Sequence, residues 1–92
     1  MMYKVVLTNP DWGRANFRGV RDDTDIMRDW CLENFGTCMG DDGRYNWKAT
    51  IRLKDADMLD NNGDYMFIWG YEVRFFFREE SHMVLFALKW SR

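Results

Sequence analysis

Four groups of residues in this chain carry side chains that could do chemistry. The first is the stretch Asn9-Pro10-Asp11-Trp12-Gly13-Arg14-Ala15-Asn16-Phe17-Arg18-Gly19-Val20-Arg21. Trp12, Arg14, Phe17, Arg18 and Arg21 stand close together in it, and tryptophan and arginine dominate the energetics of protein–protein contacts. Guanidinium groups also suit anions. The competing reading is a connection pinned to the core by Trp12 and Phe17, with the arginines in water. The second group is scattered along the chain: Lys4, Asn46, Lys48, Thr50, Arg52, Glu72, Arg74, Phe76 and Arg78. If these share one sheet face, the cations attract phosphates and Phe76 offers a ring for an unpaired base to stack on. Lys48, Arg52, Arg74, Phe76 and Arg78 would be the contacts. RNA-recognition modules use their sheets this way, but their glycine-aromatic signature is missing, and Phe75-Phe76-Phe77 is only loosely placed. The competing reading is a wet face whose arginine stems shield apolar neighbours.

The third group is the acidic run Asp55-Ala56-Asp57-Met58-Leu59-Asp60-Asn61-Asn62-Gly63-Asp64. A calcium-binding loop needs oxygen ligands at its first, third and fifth positions and Glu at its twelfth. Counted from Asp55, the fifth is Leu59 and the twelfth Met66, so the pattern fails, and Asn62-Gly63 reads as turn chemistry. The fourth group is Cys31, Cys38 and His82. One histidine and two cysteines do not complete a structural zinc site, and no nucleophile elbow or phosphate loop accompanies them. We expect no enzyme, no cofactor and no metal, with Cys31 in the core and Cys38 the more exposed thiol.

The elements that would position these groups follow from periodicity. Over residues 44–54 every odd position (Tyr45, Trp47, Ala49, Ile51, Leu53) is apolar and every even one polar, which predicts a strand with one buried face. Residues 65–78 alternate likewise, with Tyr65, Phe67, Trp69, Tyr71, Val73, Phe75 and Phe77 on one side. Gly70 within them suggests a bulge. Residues 3–8 predict a shorter strand with Tyr3, Val5 and Leu7 inward, ended by Pro10. Between them, Asp22-Asp23-Thr24-Asp25 offers caps for a helix. Its stripe would be Ile26, Met27, Trp30, Cys31 and Phe35, and Gly36 would stop it. Glu79-Glu80-Ser81 opens a second helix with Met83, Phe86, Ala87 and Trp90 buried. On this reading the segment 9–21 is a 13-residue connection.

The order strand, helix, strand, strand, helix predicts an α+β two-layer sandwich. In it a three-stranded, mainly antiparallel sheet carries two helices on one face, a ferredoxin-like arrangement lacking the last strand. A right-handed crossover then puts the first strand beside the third. That leaves its other edge free to pair with a second copy or a target.

Composition sets the limits. The chain has 92 residues, 47% hydrophobic and 17% aromatic, and a net charge of −2. That is one domain with a small core, neither acidic enough to mimic DNA nor basic enough to coat it. No apolar run approaches a membrane span and the N-terminus does not read as a signal, so the expected location is cytoplasmic, with both cysteines as free thiols.

Trp30-Cys31-Leu32-Glu33-Asn34-Phe35-Gly36, the aromatic alternating hairpin, Phe75-Phe76-Phe77 and Phe86-Ala87-Leu88-Lys89-Trp90 together resemble small uncharacterised accessory proteins of T4-like tailed bacteriophages. The likeness spans roughly residues 24–90 and carries over no binding or catalytic residue. It implies a viral protein acting inside an infected cell, of a kind that binds and disables a host factor. The expected function is therefore stoichiometric binding to a host or phage protein through Trp12, Arg14, Phe17, Arg18 and Arg21. The alternatives are a single-stranded nucleic-acid binder using the basic sheet face, and a virion or assembly component. A homodimer would form through the edge of the first strand.

Overall fold

The computed structural model describes residues 2–13, 15–59 and 65–91, and for 54–59 and 65–69 the backbone alone. The elements are β1 (Tyr3–Gly13), α1 (Phe17–Phe35), β2 (Trp47–Leu59), β3 (Tyr65–Phe77) and α2 (Glu80–Trp90). They form one sheet in the order β1-β3-β2 with both pairings antiparallel. β1 and β2 thus run parallel on either side of β3, as the split β-α-β connectivity requires, and the fold is α+β as expected.

One sheet face is dry. Val5 and Leu7 of β1, Trp47 of β2 and Val73, Phe75 and Phe77 of β3 are buried, and they meet Val20, Met27 and Cys31 of α1 and Phe86 of α2. The alternation read from the sequence is the cause, since every second residue of a strand shares a face. Phe86 packs against Phe75 and Phe77 at centroid distances of 4.5 and 5.1 Å. Trp30 stands edge-on to Phe35 at 5.3 Å, the geometry that aromatic quadrupoles favour.

The boundaries differ from those read in the sequence, most of all between β1 and α1. β1 does not stop at residue 8. It runs across Pro10 to Gly13, and the pairing jumps from Thr8↔Glu72 to Gly13↔Gly70. The surplus residues bulge out, and Pro10 falls among them because a residue without an N–H is tolerated where the ladder is interrupted. Gly70 marks this place from the opposite side. β3 passes through it in unbroken register with β2, while a Cβ there would stand 3.0 Å from the Trp12 carbonyl oxygen.

α1 begins at Phe17 rather than Asp22, because Asn16 caps it. The Asn16 carboxamide oxygen accepts from the Gly19 N–H at 3.2 Å, and its Nδ2 donates to the Asp11 carbonyl at 2.8 Å. The expected 13-residue connection therefore shrinks to residues 14–16. Ile26 lies 57% exposed, off the buried stripe that Val20, Thr24, Met27 and Cys31 form. Thr24 joins that stripe by donating its hydroxyl to the Val20 carbonyl at 2.7 Å. Gly36 closes the helix with φ 83°.

β2 starts at Trp47, whose indole N–H donates to the Gly36 carbonyl at 2.9 Å. Tyr45 and Leu53, expected inside, are exposed. The acidic run is not one loop. Asp55–Leu59 belongs to β2 and pairs with Tyr65–Trp69, while residues 60–64 lie outside the described residues, as do the side chains of Tyr65, Phe67 and Trp69.

Candidate functional site

Trp12 is buried rather than displayed on the surface. It is 5% exposed, and its indole N–H donates to Asp23 Oδ2 at 2.8 Å, locking the bulged end of β1 to α1. Arg14 lies outside the described residues. Phe17, 47% exposed, leans on Tyr71 at 5.3 Å, and Arg18 and Arg21 are exposed along the first turns of α1. Phe17 and Arg21 do come together, with Arg28, Ala49 and Ile51, around an open groove of about 390 Å³ between α1 and β2. Of the residues expected to form one contact loop, Phe17 and Arg21 thus flank a groove, Arg18 is exposed on α1 and Trp12 belongs to the core.

The open sheet face is less free than its composition implies. Arg74 Nε donates to Glu72 Oε1 at 2.9 Å, and Glu72 is itself buried, not outward in water. Arg78 grips Asp42 with both terminal nitrogens, at 3.0 and 3.1 Å. The Arg78 hydrogen bond, helped by the Arg44 backbone N–H, holds the Asp42 carboxyl below the usual carboxylate range. Lys48 stands 5.2 Å from the centre of the Phe76 ring and 5.6 Å from that of Tyr45. Lys4 and Arg52 are exposed. A phosphate arriving here would compete with carboxylates for both Arg74 and Arg78, and a base would displace an ammonium from Phe76.

Cys31 and Cys38 are not joined in a disulfide. Cys31 is fully buried, and desolvation pushes its thiol up to about 12. Cys38 is half-buried in the loop after α1. His82 stacks on Phe35 with centroids 4.2 Å apart. Among the described residues no group of three His, Cys, Asp or Glu side chains is placed to hold a metal ion, and no helix is long and apolar enough to cross a membrane.

The surface that periodicity alone did not single out is the outer side of α2. Met83, Phe86, Ala87 and Trp90 face the core as expected. At ~100° per residue, Val84, Leu85 and Leu88 fall on the far side, and they are 44%, 53% and 74% exposed. The outward side of α1 is mainly charged, with Arg18, Asp22, Asp25, Asp29 and Glu33, though Ile26 and Leu32 are exposed among them. A signal was present in the six consecutive apolar residues Met83–Leu88, too many for a helix wetted on one face.

A smaller hollow of about 200 Å³ lies where β1, α1 and the end of α2 meet, lined by Leu7, Thr8, Asn9, Trp12, Asp23, Ile26, Met27 and Trp90. No family model, no curated protein and no solved structure matches this chain.

Proposed function

We propose that this chain is a small phage-type accessory protein that acts by stoichiometric binding to another protein, of the host or of the phage, rather than by catalysis. The observation that carries the reading is the outer side of α2. A helix wetted on one side ordinarily turns polar residues outward, yet Val84, Leu85 and Leu88 stand in water side by side. Three large side chains there cost solvation with no return inside this fold, and a partner that covers them recovers about 1.5–3 kcal/mol for each one fully buried. The phage context rests on the resemblance of residues 24–90 alone.

The contact surface differs from the one first expected. Trp12 serves the core, and α2 takes its place. Leu88→Glu together with Val84→Ser tests this: both side chains are exposed, so stability should change by no more than about 0.5 kcal/mol. Co-purification of a partner, at a fixed stoichiometry with the wild-type chain, should be lost. Retention of the same complex by the double variant defeats the reading.

A further inference from the structure

We propose that the hollow between Trp12 and Trp90 is a binding site for a primary alkylammonium group, presented as a lysine side chain by an extended segment of the partner protein. Its walls are apolar: Leu7, Ile26, Met27 and the two indoles. Its volume of about 200 Å³ admits one long side chain rather than a cofactor-sized ligand. Its charge is a single carboxylate, Asp23, and no Lys, Arg or His lines it.

That carboxylate is prearranged. The Trp12 N–H holds Oδ2 at 2.8 Å and thereby fixes the group's direction. Among the described residues Asp23 makes no ion pair. Asp23 is exposed at the edge of the hollow and held by a neutral indole rather than a cation, and aromatic walls favour a cation above other ligands of the same size. The four methylenes of lysine match the apolar walls, and its ammonium reaches the carboxylate at the mouth. Lys89 stands 5.4 Å from the Trp90 ring centre. Its field opposes the incoming charge.

The presenting segment follows from where the hollow lies. Thr8 and Asn9 rim it, at the point where β1 leaves its register with β3. β1 is an edge strand. A segment added along that edge would carry alternate side chains towards the hollow. The proposal rests on the protein-binding reading above but uses a different surface, so the two fail separately.

The test uses the full ¹⁵N-labelled chain and follows its five tryptophan indole N–H signals during titration with n-butylammonium, n-butanol and butyrate. Butylammonium should shift the Trp12 and Trp90 signals saturably, at least about tenfold more tightly than the neutral or anionic chain. Asp23→Asn keeps an acceptor for the Trp12 indole and should cost about the same factor, with the remaining spectrum unchanged. Lys89→Gln should tighten binding. Equal response to butanol, or an Asp23→Asn chain that binds butylammonium as well as wild type, overturns the site. A blocked Thr-Val-Lys-Val-Thr peptide then distinguishes the source. Binding at least about tenfold tighter than butylammonium supports a lysine on an extended segment; binding no tighter assigns the site to free amines and overturns the partner half of the proposal. Loss of the complex on changing Val84 and Leu88, with butylammonium binding intact, separates this site from the α2 surface.

Discussion

Trp12 shows how one residue type can be read as an exposed contact and prove buried. A tryptophan beside arginines suggests a contact; here the ring is buried and its N–H ties two elements together across 11 residues of chain. Nothing in the local sequence distinguishes the two uses, because what decides is Asp23 arriving from α1. Trp12→Phe should cost about 1–2 kcal/mol in urea unfolding, from the lost hydrogen bond and a smaller ring. Trp12→Ala should cost about 3–5 kcal/mol, so a capture assay on that variant would read folding rather than contact. Cys31, by contrast, was legible: a cysteine on an apolar helical stripe is core. Its thiol rises from 9.0 to about 12 on burial. A group whose folded pKa is raised stabilises the fold fully below the unfolded value and loses that contribution as pH climbs towards the folded one. Between pH 9.0 and about 12, the wild type should lose about 1.4 kcal/mol per pH unit more than Cys31→Ala does. Parallel urea titrations of the two chains check the slope. At pH 8, Cys38 should react with a thiol reagent well before Cys31.

At the scale of elements, strand alternation and the α2 stripe were plain in the sequence, and the start of α1 was not. Asp22-Asp23-Thr24-Asp25 has the composition of a helix start, but those residues lie within α1, whose N-terminus is set by Asn16. Asn16 was hidden by its neighbours: Gly13, Gly19 and the arginines read as loop, and a capping bond depends on backbone position rather than composition. Because Asn16 both caps α1 and holds the Asp11 carbonyl of β1, Asn16→Ala should destabilise by about 1–2 kcal/mol. Thermal or urea unfolding reads this directly, and Asn16→Asp should recover the cap alone. Pro10 misled for a related reason. Proline ends a strand only where the ladder needs its N–H, and within a bulge on an edge it does not.

At the scale of the whole molecule the strand order was legible, since few topologies suit this order of elements. The extent of the sheet was not. β1 accompanies β3 only from Phe77 to Gly70, whereas β2 accompanies it to Tyr65. Asp55–Leu59 and Tyr65–Trp69 therefore form a two-stranded ribbon, an arrangement of marginal stability by itself. In native-state hydrogen exchange, amides of 71–77 should be protected at least about tenfold more than those of 65–69; equal protection would show that the ribbon shares the stability of the body. The pairing of Tyr3 with Phe77 has a further consequence during synthesis. β1 is made before the strand it pairs with, so Val5 and Leu7 travel unpaired until Val73 and Phe75 have followed them. The hairpin of β2 and β3 can close from local contacts, but β1 must pair across the intervening α1 and β2, a slow step. Until it does, the nascent protein presents an unmatched apolar strand to chaperones and to its own copies.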